Sequence, residues 1–254
     1  MKKLFLCAVC SCLIATNSFG MNEDGKTGFF AGIDLSAATF KYLDDVTGER
    51  IPPGDNTYVL GTHYKASFNY GIKFGYQFYG TPNHGLAITA HLNMGDYSIN
   101  AKDTESAKAG VSVDKKSNYF AFRYGVDMDY LFDFYNSQSN AIGLSAGIGY
   151  EFANYIKGKT DINFSGDMKA NIDSFRNSLF GNGAYINLGL HYYFEKHQFE
   201  IGARLPFSIF GSDSYNANGN AQSELSKTSA TSPIYQNVKI IANASYHFNY
   251  TYRF

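Results

Sequence analysis

The sequence contains no tryptophan and only three cysteines among its 254 residues. These cysteines, Cys7, Cys10 and Cys12, all lie close to the N-terminus. The remainder of the chain therefore has no thiol. This absence excludes a disulfide bond, a thiolate metal site and a cysteine nucleophile from that remainder.

The sequence also lacks an excess of either charge and a long apolar segment beyond residue 20. Its formal net charge is −1 at pH 7, so it has no basic surplus with which to bind phosphates, and we expect no nucleic-acid partner. No later stretch is long and apolar enough for a membrane-spanning helix, which needs about 20 residues. A helical membrane protein is therefore excluded.

Residues 1–20, MKKLFLCAVCSCLIATNSFG, differ in kind from the rest of the chain. Two lysines precede an apolar run, and small residues flank the end of the segment, which is the anatomy of a secretory signal peptide. A lipoprotein signal acylated at Cys12 is the alternative, but apolar residues continue past that cysteine. We therefore expect cleavage after Gly20, export, and a single mature domain over residues 21–254.

The chain is rich in aromatic residues and glycine, arranged with a period of two. It contains 22 Phe, 21 Tyr and 25 Gly but only 5 Pro, a composition that favours strands over helices. In the terminal SYHFNYTYRF every second residue is aromatic and the residues between are polar. Similar alternation occurs in eight segments: 29–39, 64–78, 86–94, 120–134, 142–152, 184–194, 199–209 and 238–254. The pattern predicts an all-β fold, an eight-stranded antiparallel up-and-down transmembrane β-barrel.

The connections between these segments are short and long in turn. The predicted short turns are 80–85, 135–140 and 195–197, and the predicted long connections are 41–62, 98–118, 154–182 and 211–236. Short turns at one end and long loops at the other are typical of bacterial outer-membrane barrels. We therefore expect both chain ends on the periplasmic side and four long loops at the cell surface, where loops commonly carry function.

Aromatic residues concentrate where the even-numbered segments approach the short turns. The members of this predicted girdle are Tyr76, Phe78, Tyr130, Phe132, Tyr192 and Phe194. A belt of aromatics at one level is typical of a membrane interface, so we expect the apolar face to contact lipid and the polar face to line the lumen. A secreted lipocalin-like barrel with an apolar pocket is the alternative, but a pocket does not need its aromatics at one rim.

The last strand carries a more specific pattern. Its apolar face consists of Tyr246, Phe248, Tyr250, Tyr252 and Phe254. This alternation ending in Phe resembles the C-terminal signal that the barrel-assembly machinery reads in outer-membrane proteins. The mature chain resembles small barrels of the OmpA and OmpX type, and its segments GFFAGIDLS and FNYTYRF are similar to Helicobacter-type proteins of the Hop and Hor kind. The resemblance implies a Gram-negative outer-membrane protein with membrane lipid, lipopolysaccharide and the assembly machinery as partners.

Charged residues fall on the face assigned to the lumen. They are Lys73, Arg123, Asp127, Asp129, Asp133, Glu151, Glu200, Arg204, Lys239 and Arg253. Ile241 would be the only apolar residue on this face of the last strand. An eight-stranded lumen is narrow and unpaired buried charges are costly, so we predict a plug of ion pairs. At least one arginine among Arg123, Arg204 and Arg253 should hydrogen-bond an acid among Asp127, Asp129 and Glu200. A small gated pore is the alternative.

The sequence offers little catalytic or metal-binding chemistry. Ser245 and His247 share a face of the last strand, but that face would line the lumen, away from a lipid substrate. The six histidines are scattered without metal-ligand spacing on one strand. We therefore expect no enzymatic activity, metal or cofactor. The predicted function is structural, or a surface interaction such as a host ligand through the four long loops. A small porin for ions or polar solutes and the lipocalin-like binding barrel are the alternatives.

Overall fold

A computed structural model describes residues 26–48, 57–103, 112–137, 139–165, 172–173, 178–207, 216–227 and 230–254; the predicted leader, residues 1–20, lies outside them. The described chain forms ten antiparallel strands: β1 (Gly28–Gly48), β2 (Thr57–Thr81), β3 (His84–Asp103), β4 (Ser112–Asn136), β5 (Asn140–Ser165), β6 (Ile172–Asp173), β7 (Ser178–Phe194), β8 (His197–Pro206), β9 (Asn216–Lys227) and β10 (Ala230–Arg253). Within the described ranges, no helix is long and apolar enough to cross a membrane.

Eight of the ten strands close into a ring. Their order around the ring is β1, β2, β3, β4, β5, β7, β8 and β10, and each is hydrogen-bonded to the next. β10 returns to pair with β1, from Arg253 opposite Phe30 to Ile234 opposite Gly48. The predicted eight-stranded antiparallel up-and-down barrel is confirmed. We call the end with the three short turns the short-turn end and the opposite end the long-loop end; β6 and β9 are added at the long-loop end.

Much of the sequence predicted to form long connections is strand. β1 continues to Gly48 and β2 begins at Thr57, both inside the predicted connection 41–62. β3 likewise continues to Asp103. These extensions do not continue the lipid-facing apolar alternation of the predicted segments, because side chains outside the membrane need not face lipid, whereas backbone pairing requires no particular side chain. The residues between the paired extensions, such as 49–56, lie outside the described ranges.

The predicted connection 211–236 also contains a strand. β9 pairs with β10 from Asn216 opposite Ile241 to Lys227 opposite Ala230, which forms a hairpin beyond the ring. Its 12 residues span about 40 Å at about 3.4 Å per residue. The prediction of a loop over this whole stretch is therefore wrong, because a polar sequence without alternation can still supply the backbone groups of a hairpin.

An irregularity in β10 changes which side chains face the lumen. Between Ser245 and Ala242, two residues of β10 lie opposite one residue of β1. The extra residue reverses the alternation, so Ile240 and Ala242 are buried inside the barrel. The expectation that Lys239 and Ile241 point into the lumen is therefore wrong: both alternate with the buried residues and lie half-buried on the outer side.

Candidate functional site

The ring encloses a lumen filled with polar side chains. The charged residues predicted there and found buried are Lys73, Arg123, Asp127, Asp129, Asp133, Glu151, Glu200, Arg204 and Arg253. They point inward because successive side chains of a strand alternate and their neighbours cover the outer face. The lumen is therefore the candidate site, since it contains most of the buried charged side chains of the described chain.

Glycines on the inner wall leave room for these side chains. A Cβ atom at Gly149 would overlap the Asp127 carboxylate and the Tyr185 ring. A Cβ atom at Gly202 would overlap the His247 imidazole. Asp127, Tyr185 and His247 lie directly opposite these glycines on the neighbouring strands, so glycine leaves the room that their inward side chains occupy in a narrow barrel.

A hydrogen-bonded chain of charges links β3, β4 and β5. Arg123 Nε donates to Glu151 Oε1 at 2.7 Å, and His91 Nε2 lies 3.2 Å from the other oxygen of the same carboxylate. His91 Nδ1 lies 3.1 Å from Asp127 Oδ2, so the imidazole bridges two acids. Because both acids are buried, this chain supplies the partners that buried carboxylates require.

Arg204 extends the network across the lumen. From β8, its Nη2 donates to Asp34 Oδ2 on β1 at 2.9 Å and lies 4.0 Å from Asp127 Oδ2 on β4. Its guanidinium lies 5.8 Å from the centre of the Tyr185 ring. Asn93 Nδ2 donates to the same Asp34 oxygen at 3.2 Å. One guanidinium thus connects three strands, no two of which are neighbours in the ring.

A second group of charges lies around Glu200, nearer the short-turn end. Lys73 Nζ is 3.6 Å from Glu200 Oε2, and Ser145 Oγ donates to Glu200 Oε1 at 3.0 Å. Asp129 accepts a hydrogen bond from Asn187 Nδ2 at 3.0 Å. Lys73, Asp129 and Glu200 line a cavity of about 10 Å³, which is roughly the space of one water molecule.

The predicted pairing between the arginines and acids takes a different form. One pair within the predicted sets is Arg204 and Asp127, whose 4.0 Å separation is an ion-pair contact longer than a hydrogen bond. Arg123 pairs instead with Glu151, and Arg204 with Asp34. Sequence reasoning missed Asp34 as a partner, although its position on the polar face of β1 was the available signal.

An aromatic cluster covers the network on the side of the long-loop end. Its buried members are Phe40, Tyr42, Tyr97, Ile99, Tyr119, Ala121, Ala153, Tyr155, Leu179 and Ile240. The Tyr97 ring centre is 4.9 Å from that of Phe40 and 5.1 Å from that of Tyr155. Arg123 Nη1 donates to the Tyr97 hydroxyl at 3.3 Å, so this cluster rests directly on the charged network.

A compact polar cluster fills the short-turn end. Lys26 Nζ, from the segment before β1, donates to Asp133 Oδ2 at 2.6 Å. His191 Nε2 lies 2.6 Å from Asp133 Oδ1, and the Tyr79 hydroxyl donates to that oxygen at 3.3 Å. The Arg253 guanidinium lies 4.7 Å from the centre of the Tyr193 ring beside this cluster. Sequence reasoning missed Lys26, because it lies before the first strand and no strand pattern indicates that its side chain contacts Asp133.

The outer face is apolar over the part of the barrel nearer the short-turn end. The predicted girdle residues Tyr76, Phe78, Tyr130, Phe132, Tyr192 and Phe194 lie on this face beside the short turns. Tyr246, Phe248, Tyr250, Tyr252 and Phe254 form the outer face of the C-terminal segment, and Phe254 N donates to Phe29 O at 2.9 Å. The last residue therefore takes part in closing the ring. The roles of these residues as interface anchors and assembly signal remain predictions.

Ser245 and His247 are both buried in the lumen. His247 Nε2 lies 3.7 Å from Glu200 Oε1, which is an ion-pair contact when the imidazole is protonated. Within the described ranges, no group of three or more His, Cys, Asp and Glu side chains is arranged to hold a metal ion.

The sequence matches a family of outer-membrane proteins, and the fold is similar to solved structures of outer-membrane proteins. A family model described as Helicobacter outer membrane protein matches residues 71–254, from within β2 to the last residue. The curated proteins contain no match. The fold is similar to the outer membrane protein OprG from Pseudomonas aeruginosa, with 14% identity, a TM-score of 0.48, and 90% of this chain and 97% of that chain covered. It is also similar to the outer membrane protease OmpT from Escherichia coli, with 10% identity, a TM-score of 0.39, and 89% and 97% covered. Neisserial surface protein A shows 12% identity, a TM-score of 0.32, and 89% and 97% covered.

Proposed function

The chain belongs to the Helicobacter outer membrane protein family, and from this premise we propose that it is a non-conducting barrel that holds strands at the cell surface. Its location is the outer membrane, with the apolar face of the ring in lipid. The proposal concerns what the barrel does there: it serves as a rigid membrane anchor, and the parts beyond the long-loop end make contacts outside the cell.

The observation that carries the proposal is the crossing of the lumen by Arg204. Its contacts with Asp34 and Asp127 join three strands that are not neighbours, so the guanidinium lies across the path that a solute would follow. Both acids are buried and would be left without this partner if the arginine moved aside. Opening the lumen would therefore require the separation of buried charges, which is costly.

The two ends of the lumen support the same proposal. The aromatic cluster around Tyr97 fills the barrel on the long-loop side of the charged network, and its ring centres lie 4.9 to 5.1 Å apart. The cluster of Lys26 and Asp133 fills the barrel on the short-turn side of the charged network. A hydrated ion needs a continuous file of water, and the described side chains occupy the lumen at all three levels. A small porin is the alternative function, and conductance separates the two.

Purified protein in a planar bilayer is expected to show no steady open-channel current, because the described side chains fill the lumen. A general porin in the same bilayer is the positive control for the recording. Heat-modifiable mobility on a gel verifies that the reconstituted protein is folded, since folded barrels migrate differently before and after boiling. Steady single-channel steps from folded protein would overturn the closed-barrel proposal and favour the small porin.

The strands at the long-loop end are the parts proposed to make contacts outside the cell. β9 and β10 form a hairpin that continues from Ile241 to its tip between Lys227 and Ala230. β4 and β5 remain paired to Ser112 opposite Ser165. A tilted strand crosses the bilayer with about 9–11 residues. These strands are longer, so they extend beyond the lipid. Host or other surface ligands would meet these extensions first.

A peptide tag inserted after Lys227 is expected to be labelled by antibody on intact cells, because the hairpin tip is proposed to lie outside the membrane. The matched control carries the same tag after Ser137, in the short turn between β4 and β5, and should be labelled only after permeabilisation. Both variants must show the heat-modifiable mobility of the parent. The reverse pattern of labelling would show that the orientation is wrong.

A further inference from the structure

A repeated side-chain contact occurs on the outer face at the short-turn end. Each of the three strands that leave a short turn begins with a polar residue: His84 in β3, Asn140 in β5 and His197 in β8. Each of these residues hydrogen-bonds the hydroxyl of a tyrosine on the next strand of the ring. The contacts are His84 Nδ1 with Tyr130 at 2.6 Å, Asn140 Oδ1 with Tyr192 at 2.7 Å, and His197 Nδ1 with Tyr250 at 2.9 Å.

The three contacts share one register. His84 lies opposite Phe132, Asn140 opposite Phe194 and His197 opposite Tyr252. In every case the bonded tyrosine lies two residues before the opposite aromatic, on the same outer face. The same pattern, a tyrosine followed two residues later by a second aromatic, thus recurs at three seams, the boundaries between β3 and β4, β5 and β7, and β8 and β10. The repetition indicates a common structural requirement at this level.

The two histidines keep one ring nitrogen available at these positions. The Nδ1 atom of each contacts a tyrosine hydroxyl, and the described chain shows no hydrogen bond to the Nε2 atom of either ring. When the hydroxyl donates to Nδ1, a neutral imidazole carries its proton on Nε2 and can donate it; an imidazolium donates there as well. In this arrangement each histidine has a hydrogen-bond donor that the described protein does not use.

Neighbouring rings orient each imidazole. The His84 ring centre lies 6.0 Å from that of Tyr130 and 5.2 Å from that of Phe132. The His197 ring centre lies 5.9 Å from that of Tyr250 and 5.3 Å from that of Tyr252. A hydrogen bond and two rings restrict each side chain, so little conformational entropy remains to be lost on binding a ligand.

We propose that His84 and His197 each bind the phosphate of a phospholipid headgroup in the leaflet around the short-turn end. Both residues lie beside the aromatic belt that we predict to mark the boundary between acyl chains and headgroups. A donor at this depth meets lipid phosphate, an anionic acceptor with which nitrogen donors form strong hydrogen bonds. Asn140 keeps the tyrosine contact through its carbonyl oxygen but cannot become a cation, so the third seam lacks an ionisable donor.

A bound lipid rather than a free phosphate ion is the ligand we expect. Phe132 beside His84 is exposed on the outer face, and Tyr252 beside His197 is exposed in the same way. These rings offer apolar surface to an acyl chain attached to the bound phosphate, which inorganic phosphate lacks. The proposal does not depend on whether the barrel conducts.

The test measures binding of phosphatidylglycerol to the folded barrel and its variants by native mass spectrometry from a neutral detergent. Replacement of both histidines, His84→Asn and His197→Asn, keeps a side chain that Asn140 shows to be compatible with the tyrosine contact. We expect two lipids to bind the parent and the double variant to bind them about five-fold more weakly, because a shorter, neutral amide replaces the imidazole donor at each site. The reverse change, Asn140→His, should add a third lipid.

The controls distinguish the sources of binding. Monoolein, which has no phosphate, should bind the parent and the double variant equally, and inorganic phosphate should not bind the parent at comparable concentrations. Equal phosphatidylglycerol binding by parent and double variant would overturn the proposal, as would failure of Asn140→His to gain a lipid. Inorganic phosphate binding as tightly as the lipid would refute the lipid assignment. Heat-modifiable mobility of all variants ensures that only folded barrels are compared.

Discussion

Deletion of Phe254 is expected to reduce the amount of folded protein in the outer-membrane fraction by about ten-fold. This factor corresponds to a loss of roughly 1.4 kcal/mol in the binding of the C-terminal strand by the assembly machinery. Phe254 N donates to Phe29 O at 2.9 Å, and its ring packs edge to face against Tyr252 at 5.6 Å. The ring is 58% exposed on the outer face, where another protein can contact it before lipid does. Fractionation followed by immunoblotting of the heat-modifiable band measures the loss.

Phe78→Ala is the matched control for this deletion. Phe78 is 53% exposed on the same apolar face, so its removal loses a comparable lipid contact, but it lies within the chain. Insertion of this variant is expected to be close to that of the parent. The double change Tyr252→Ser and Phe254→Ser should reproduce the deletion, and His247→Ala should insert normally because that side chain faces the lumen.

Folding without cellular machinery separates recognition from stability. Deletion of Phe254 should still allow the purified chain to fold into lipid vesicles, because most of the pairing between β1 and β10 remains. Failure in cells together with success in vesicles would support an assembly signal. Insertion of the deletion variant in cells at the parent level would count directly against that role.

Arg204→Met is expected to lower the free energy of unfolding by about 3–5 kcal/mol, the usual effect of removing one partner of a buried ion pair. The substitution leaves the Asp34 and Asp127 carboxylates without the guanidinium that lies 2.9 Å and 4.0 Å from them. The side chain of methionine fills similar space, so the loss reflects charge more than volume. Denaturant titration of the barrel in detergent micelles or vesicles measures the change.

Lys116→Met is the control, because Lys116 is exposed on the outer side of β4 and its loss should change stability by less than about 0.5 kcal/mol. Combining Arg204→Met with Asp34→Asn should recover part of the loss, since the second change removes the Asp34 charge that the arginine no longer balances. A stability of Arg204→Met equal to that of the control variant would show that the arginine does not hold the lumen closed.

The sequence pattern predicted the ring strands well where one face meets lipid. In β2 the alternation from Tyr64 to Phe78 follows the outer face, and in β4 Arg123 and Asp127 lie on the inner face as predicted. Beyond the lipid the pattern fails: Gly48 and Thr57 are strand residues in a stretch predicted to be a loop. The reason is that lipid imposes a hydrophobic requirement on side chains, whereas strand pairing alone imposes none.

The partners within the lumen were harder to predict. The sequence indicated that Arg204 would need an acid, but choosing Asp34 requires the position of β1 relative to β8. The bulge in β10 illustrates the same limit, because one extra residue moved Ile241 to the outer side. The signal for the tyrosine contacts was available in Tyr130, Phe132 and their counterparts, but the partner His84 lies across a seam that sequence alone does not align.

By itself the sequence determined the fold class, the face that meets lipid and most of the charges that would be enclosed. These properties follow from the two-residue period of a strand, which can be counted along one chain. Only the tertiary structure decided which charges pair, where the N-terminal Lys26 lies and how far the strands extend. Such contacts join strands distant in sequence, and their selection depends on ring order, register and bulges, which arise when the barrel closes.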